Sequence, residues 1–115
     1  HGIDVSGDDG TVRNISAQTT AGGGSSYDAV SSNGTSRNTF DHVKVIDSDR
    51  FGFFMGNVGQ ECAITNCMVL GADAEWMFIN QERSRVIGNF CNASGADGIE
   101  VDDGGDDTVV MGTCA

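Results

Sequence analysis

Two short hydrophobic phrases recur along the chain with nearly one period. The first reads apolar, any, Asn-like, apolar. Its copies are Val12-Arg13-Asn14-Ile15, Phe40-Asp41-His42-Val43, Ile64-Thr65-Asn66-Cys67, Ile87-Gly88-Asn89-Phe90 and Met111-Gly112-Thr113-Cys114, with first residues 28, 24, 23 and 24 positions apart. The second reads apolar, any, apolar. Its copies are Ile3-Asp4-Val5, Ala29-Val30-Ser31, Phe53-Phe54-Met55, Met77-Phe78-Ile79 and Ile99-Glu100-Val101, spaced by 26, 24, 24 and 22. Strict alternation in the second phrase predicts one strand per repeat, with its outer residues facing a core. In the first phrase the apolar residues flank a polar one, which predicts a strand, a sharp bend and another strand. Asn tolerates the left-handed backbone of such a bend, and its amide can bond to the next repeat. Asn14, His42, Asn66, Asn89 and Thr113 are therefore expected to stack as a ladder. At the last copy, a one-residue shift would put Val110 in place of Met111.

A period of this length is the mark of a solenoid in which each repeat buries its apolar face on its neighbours. Composition agrees. Seventeen glycines, no proline and many Asn, Ser, Thr and Asp favour short strands joined by tight turns over long helices. The polar, glycine-rich stretch 19–26 interrupts the first repeat and is expected to lie outside the core.

On these phrases, and on Val86-Ile87-Gly88-Asn89 and Asp97-Gly98-Ile99-Glu100-Val101 in particular, the chain resembles the right-handed parallel β-helix proteins. These form the pectate-lyase-like superfamily, which includes phage tailspikes. The resemblance covers nearly all 115 residues and implies an all-β, right-handed parallel β-helix of about five coils of roughly 24 residues each. It is specific for fold, because such repeats encode coil geometry shared by enzymes, adhesins and virion spikes. The Asn-Thr-Asp, Gly-His-Gly and Arg-Ile-Lys phrases of polygalacturonases are absent, and Lys44 is the only lysine. Residues 1–115 read as one β-helix segment whose terminal coils carry no capping helix. Bare coils leave backbone groups unpaired, so the segment is expected to belong to a longer chain or a larger assembly.

Seventeen acidic residues against six basic give a net charge of -11, which argues against nucleic acid or an anionic membrane as partner. No apolar run reaches transmembrane length. The cysteines, Cys62, Cys67, Cys91 and Cys114, form no CxxC pair, which leaves buried thiols or a disulfide between neighbouring coils. Three Asn-x-Ser/Thr triplets begin at Asn14, Asn33 and Asn92, although a glycan would not fit the ladder at Asn14.

Three groups of residues bear on function. The middle positions of the second phrase should face outward, so Val30, Phe54 and Phe78, with Trp76 beside them, are expected to form an exposed apolar stripe. That stripe suits a homo-oligomer seam, a trimer above all, or contact with neighbouring subunits; sugar stacking and coverage by the glycine-rich loop are the alternatives. Asp47, Asp49, Asp73, Glu75 and Asp97 fall at turns where successive coils would align carboxylates. Paired carboxylates are the requirement of glycoside hydrolysis, while a solvated acidic turn is the plainer reading. Arg50 would there serve an acid or a surface ion pair. Asp102, Asp103, Asp106 and Asp107, echoed by Asp8-Asp9-Gly10, place hard oxygen ligands on turns and make Ca²⁺ a candidate beside simple solvation. The expectation is a non-catalytic structural or attachment segment of a virion-surface or extracellular assembly, tailspike-like or a decoration component, serving as a rigid stalk or as a carbohydrate-contacting surface. A polysaccharide lyase or glycoside hydrolase is the rival.

Overall fold

The computed structural model describes residues 2–18, 28–56, 59–94 and 98–112. Twelve strands make up the described chain: β1 (Ile3–Val5), β2 (Thr11–Gln18), β3 (Val30–Asn33), β4 (Thr39–Ser48), β5 (Phe53–Gly56), β6 (Ala63–Thr65), β7 (Met68–Ala72), β8 (Met77–Ile79), β9 (Arg85–Ile87), β10 (Phe90–Ser94), β11 (Ile99–Val101) and β12 (Val109–Met111). Every pairing between them is parallel. One sheet runs β1-β3-β5-β8-β11. The other holds β2, β4, β6, β7, β9, β10 and β12. The chain is thus a parallel β-solenoid, and its five stacked strands in the first sheet mark about four full turns.

Strand β4 shows how the first phrase folds. Its first half pairs with β6 and its second half with β7, and the bend falls between them at His42, whose φ is +53°. Asn14, Asn66, Gly88 and Gly112 take the same left-handed conformation, with φ of +56°, +52°, +69° and +60°. The ladder expected at Asn89 is therefore displaced by one residue. Val86 pairs with Ile64 and Val110, so the bend passes through Gly88, and Val110 rather than Met111 continues the inner row. Apolar residues at both Val86 and Ile87 left the register undecided by pattern alone. Asn89 instead turns inward and is buried. Its Nδ2 donates to the Ile64 carbonyl at 3.1 Å, and its Oδ1 accepts from the Cys67 amide at 2.8 Å. Thr113 lies outside the described residues.

A second left-handed row was not expected from the sequence. Asp9, Arg37, Glu61, Arg83 and Asp107 occupy equivalent places two residues before the aligned Thr11, Thr39, Ala63, Arg85 and Val109, with φ between +53° and +61°. Their charges alternate from coil to coil. Arg37 Nε meets Asp9 Oδ1 at 2.6 Å, and Arg83 Nε lies 4.0 Å from Glu61 Oε2. Left-handed geometry costs a non-glycine residue about 1 kcal/mol, and alternating charge offsets part of that cost.

Inward residues stack in columns. Ile3, Val30, Phe53, Met77 and Ile99 form one, and Ala17, Val45, Val69 and Cys91 another. Cys62, Cys67 and Cys91 are buried. One corner of the interior is polar: fully buried Gln81 donates through Nε2 to the carbonyls of Ser32 and Gly56 and accepts from the Cys62 thiol at 2.7 Å. Each buried polar atom there has a partner, which is the condition for keeping it in a core.

Candidate functional site

The outward row of the five-stranded sheet is Asp4, Ser31, Phe54, Phe78 and Glu100. Val30 is not in it. The first turn takes 27 residues from Ile3 to Val30, so Val30 and Ser32 point inward and Val30 is fully buried. Ser32 misled the pattern because it is polar at a core position; its hydroxyl is satisfied by Thr35 Oγ1 at 2.6 Å. Trp76 also leaves the expected stripe. It is only 8% exposed, its Nε1 donates to the Asn92 carbonyl at 3.0 Å, and it packs with the core. Gly98 is needed beneath it, since a Cβ there would lie 2.8 Å from the indole Cζ3.

Phe54 and Phe78 do stack, with centroids 5.4 Å apart and planes 15° from parallel. Phe51, from the turn before β5, joins them at 5.5 and 5.1 Å. The Arg50 guanidinium lies 4.8 Å from the Phe51 centroid and 5.2 Å from that of Phe54. It is oriented by Asp28, which is fully buried: Nε donates to Oδ1 at 2.7 Å and Nη2 to Oδ2 at 2.6 Å. The Phe51 amide donates to the same carboxylate at 3.2 Å. This fork raises the Arg50 pKa, so the cation persists at any physiological pH. The result is a half-buried group of three rings with a fixed guanidinium over its flank. Sequence reading found two of the rings. Asp28 and Arg50 lie 22 positions apart, and nothing in the sequence marks them as partners.

The turn carboxylates do not converge as a group. Ser48 pairs with Ala72, and the Asp73 amide donates to the Ser48 carbonyl, which sets Asp49 beside Asp73 in successive coils. Asp47 is exposed on a left-handed bend at φ +52° beside Gly71. Glu75 lies farther along the turn, where its carbonyl accepts from the Gly52 amide. Asp97 lies outside the described residues. Arg50 serves Asp28 rather than any of these acids.

Asp102, Asp103 and Asp106 line an open cleft of about 530 Å³ with Asn80 and Glu82. Asp107 belongs to the alternating charge row instead. Among the described residues, no group of three or more His, Cys, Asp or Glu is placed to hold a metal ion. The echo at Asp8 and Asp9 is engaged by the chain itself. Asp8 accepts from the Ser36 amide at 2.8 Å, and Arg37 holds the Asp9 carboxyl below its usual range.

His42 stands exposed at its bend, with Nδ1 2.9 Å from Asp41 Oδ2. Thr65 Oγ1 and Asn66 Nδ2 donate to the other Asp41 oxygen at 2.9 and 3.3 Å. Together these bonds, that of His42 foremost, lower the Asp41 pKa to about 2. Asn14, Asn33 and Asn92 are all exposed, Asn14 included despite its place at the bend.

Comparisons with protein-family models, with curated proteins and with solved structures returned no match.

Proposed function

We propose that the chain is a rigid, non-catalytic attachment segment of an extracellular or virion-surface assembly, a tailspike-type β-helix of the pectate-lyase-like kind, that contacts carbohydrate through its five-stranded sheet. The observation that carries this reading is the Phe51, Phe54 and Phe78 group with Arg50 fixed against it. Aromatic rings supply apolar surface for the C–H faces of a pyranose, and a guanidinium locked by a buried carboxylate offers hydrogen bonds without losing side-chain freedom on binding. Parallel stacking supports it further, because it holds the rings of successive coils at a fixed spacing.

The test is retention of the chain on neutral and acidic polysaccharides by affinity electrophoresis, beside Phe51→Ala and Phe78→Ser. Retention that drops in both variants, with unchanged circular dichroism, is the expected result. Equal retention would move the contact elsewhere. A lyase or hydrolase reading is favoured by one observation, the adjacency of Asp49 and Asp73. New reducing ends or unsaturated products, abolished by Asp49→Asn or Asp73→Asn, would establish it instead.

A further inference from the structure

The aromatic group of the five-stranded sheet lies in a row with a carboxylate at each end. In register order the outward positions are Asp4, Ser31, Phe54, Phe78 and Glu100. Glu100 pairs directly with Phe78, so their backbones lie one strand spacing apart, about 4.8 Å. Glu75 follows Phe51 in the next coil, where its carbonyl accepts from the Gly52 amide at 3.2 Å. The cation over the rings is already matched. Arg50 spends Nε and Nη2 on the fully buried carboxylate of Asp28, a fork that does not use the Nη1 edge. Its side chain keeps 31% of its surface open to solvent.

We infer that this group takes neutral glycans and discriminates against acidic ones, which rests on the reading of the sheet as a carbohydrate contact and names its class of sugar. A uronate or sulfate laid across Phe54 and Phe78 would bring its charge within about one coil spacing of Glu100. It would do so in the field of a chain of net charge -11. Arg50 does not offset that repulsion, because Asp28 cancels its charge from 2.6 and 2.7 Å. Hydroxyls meet no such penalty. An uncharged sugar is not repelled by Glu100 or Glu75, its hydroxyl oxygens can accept from the Nη1 edge, and its C–H faces gain the same apolar contact from the rings. Asp28 is thereby a positioning residue. It acts through Arg50, holding the guanidinium against Phe51 and Phe54 while removing its net charge.

Affinity electrophoresis of the whole chain at low salt tests it, with an unbranched β-glucan and a galactomannan as neutral probes against polygalacturonate and hyaluronan as acidic ones. The dissociation constant should be at least about tenfold lower on the neutral polymers. Added salt should narrow the gap, since the repulsion that sets it is screened. In Asp28→Asn, which releases the Arg50 charge, the acidic-to-neutral ratio of the two constants should fall at least about threefold. Glu100→Gln and Glu75→Gln, at partly exposed positions, should lower the same ratio and carry the test should the buried change at Asp28 impair folding. Acidic polymers retained as tightly as neutral ones at low salt would overturn the inference and leave the carbohydrate contact standing. A neutral preference that persists undiminished in Glu100→Gln and Glu75→Gln would overturn it as well. Retention on no polymer at all would remove the carbohydrate contact itself, and the selectivity with it.

Discussion

Arg50 reaches back across one coil to Asp28 and grips its fully buried carboxylate through two parallel hydrogen bonds of 2.7 and 2.6 Å. The pair fastens the turn before β5 to the segment before β3, and it sets the guanidinium against Phe51 and Phe54. Arg50→Ala would remove the main counter-charge from a carboxylate shut away from water, at a cost of about 3 kcal/mol. Urea unfolding should show that loss. Asp28→Asn combined with Arg50→Ala should be less damaging than the sum of the two single changes, because a neutral amide needs no cation. Strict additivity would mean that the two side chains do not depend on each other.

The two kinds of bend residue should respond oppositely to substitution. Asn89 satisfies two buried backbone groups, so Asn89→Ala strands the Cys67 amide and the Ile64 carbonyl and should cost about 2–3 kcal/mol. Asn66 is exposed and left-handed at φ +52°, so Asn66→Gly should be close to neutral. Thermal melts of the two variants distinguish an interior bracket from a surface bend. A comparable loss at both positions would return Asn66 and Asn89 to one ladder.

Legibility of the fold followed the constancy of the period. Where coils keep 24 residues and the inward positions are large and apolar, as from Phe53 to Met77, the sequence alone placed Phe54 over Phe78. Where the first turn lengthens to 27 residues and Ser32 occupies a core position, the same reasoning turned Val30 outward. At β9 the adjacent Val86 and Ile87 both suit a core, and only pairing with Ile64 settles which one enters it. Asp28 and Phe51 escaped notice, and Arg50 was matched to the wrong acids, because their contacts depend on where turns close, and turns carry no periodic signal.

The alternating row of Asp9, Arg37, Glu61, Arg83 and Asp107 was hidden for a different reason. Its members share a backbone conformation but no side-chain type, so a search for like residues passes over it. Arg37→Glu would convert the row to four acids in five and replace attraction to Asp9 and Glu61 with repulsion. The expected loss is small, since the side chains are exposed. High salt should shrink the difference between variant and parent in urea unfolding, because screening acts on exposed charges. A loss independent of salt would point to backbone strain in place of electrostatics.

The corner at Asp41 predicts the acid limit of the bend. In the folded chain its pKa is depressed to about 2, chiefly by the hydrogen bond with His42 and then by Thr65 and Asn66, against about 3.9 for an unfolded aspartate. A depressed folded pKa means that the unfolded chain takes up the proton first. The stabilisation is therefore complete above about pH 4 and is lost as pH falls towards 2. Carbon-13 titration of the Asp41 carboxyl should place its midpoint near 2. In His42→Ala the midpoint should move up towards the ordinary aspartate value, since the largest contributor is gone while Thr65 and Asn66 remain. A midpoint near 3.9 in the parent chain would mean that these three side chains do not hold the carboxylate as the geometry has it. In that case the bend within β4 at His42 would be held by its left-handed backbone and the inward column of Val43 and Cys67 alone.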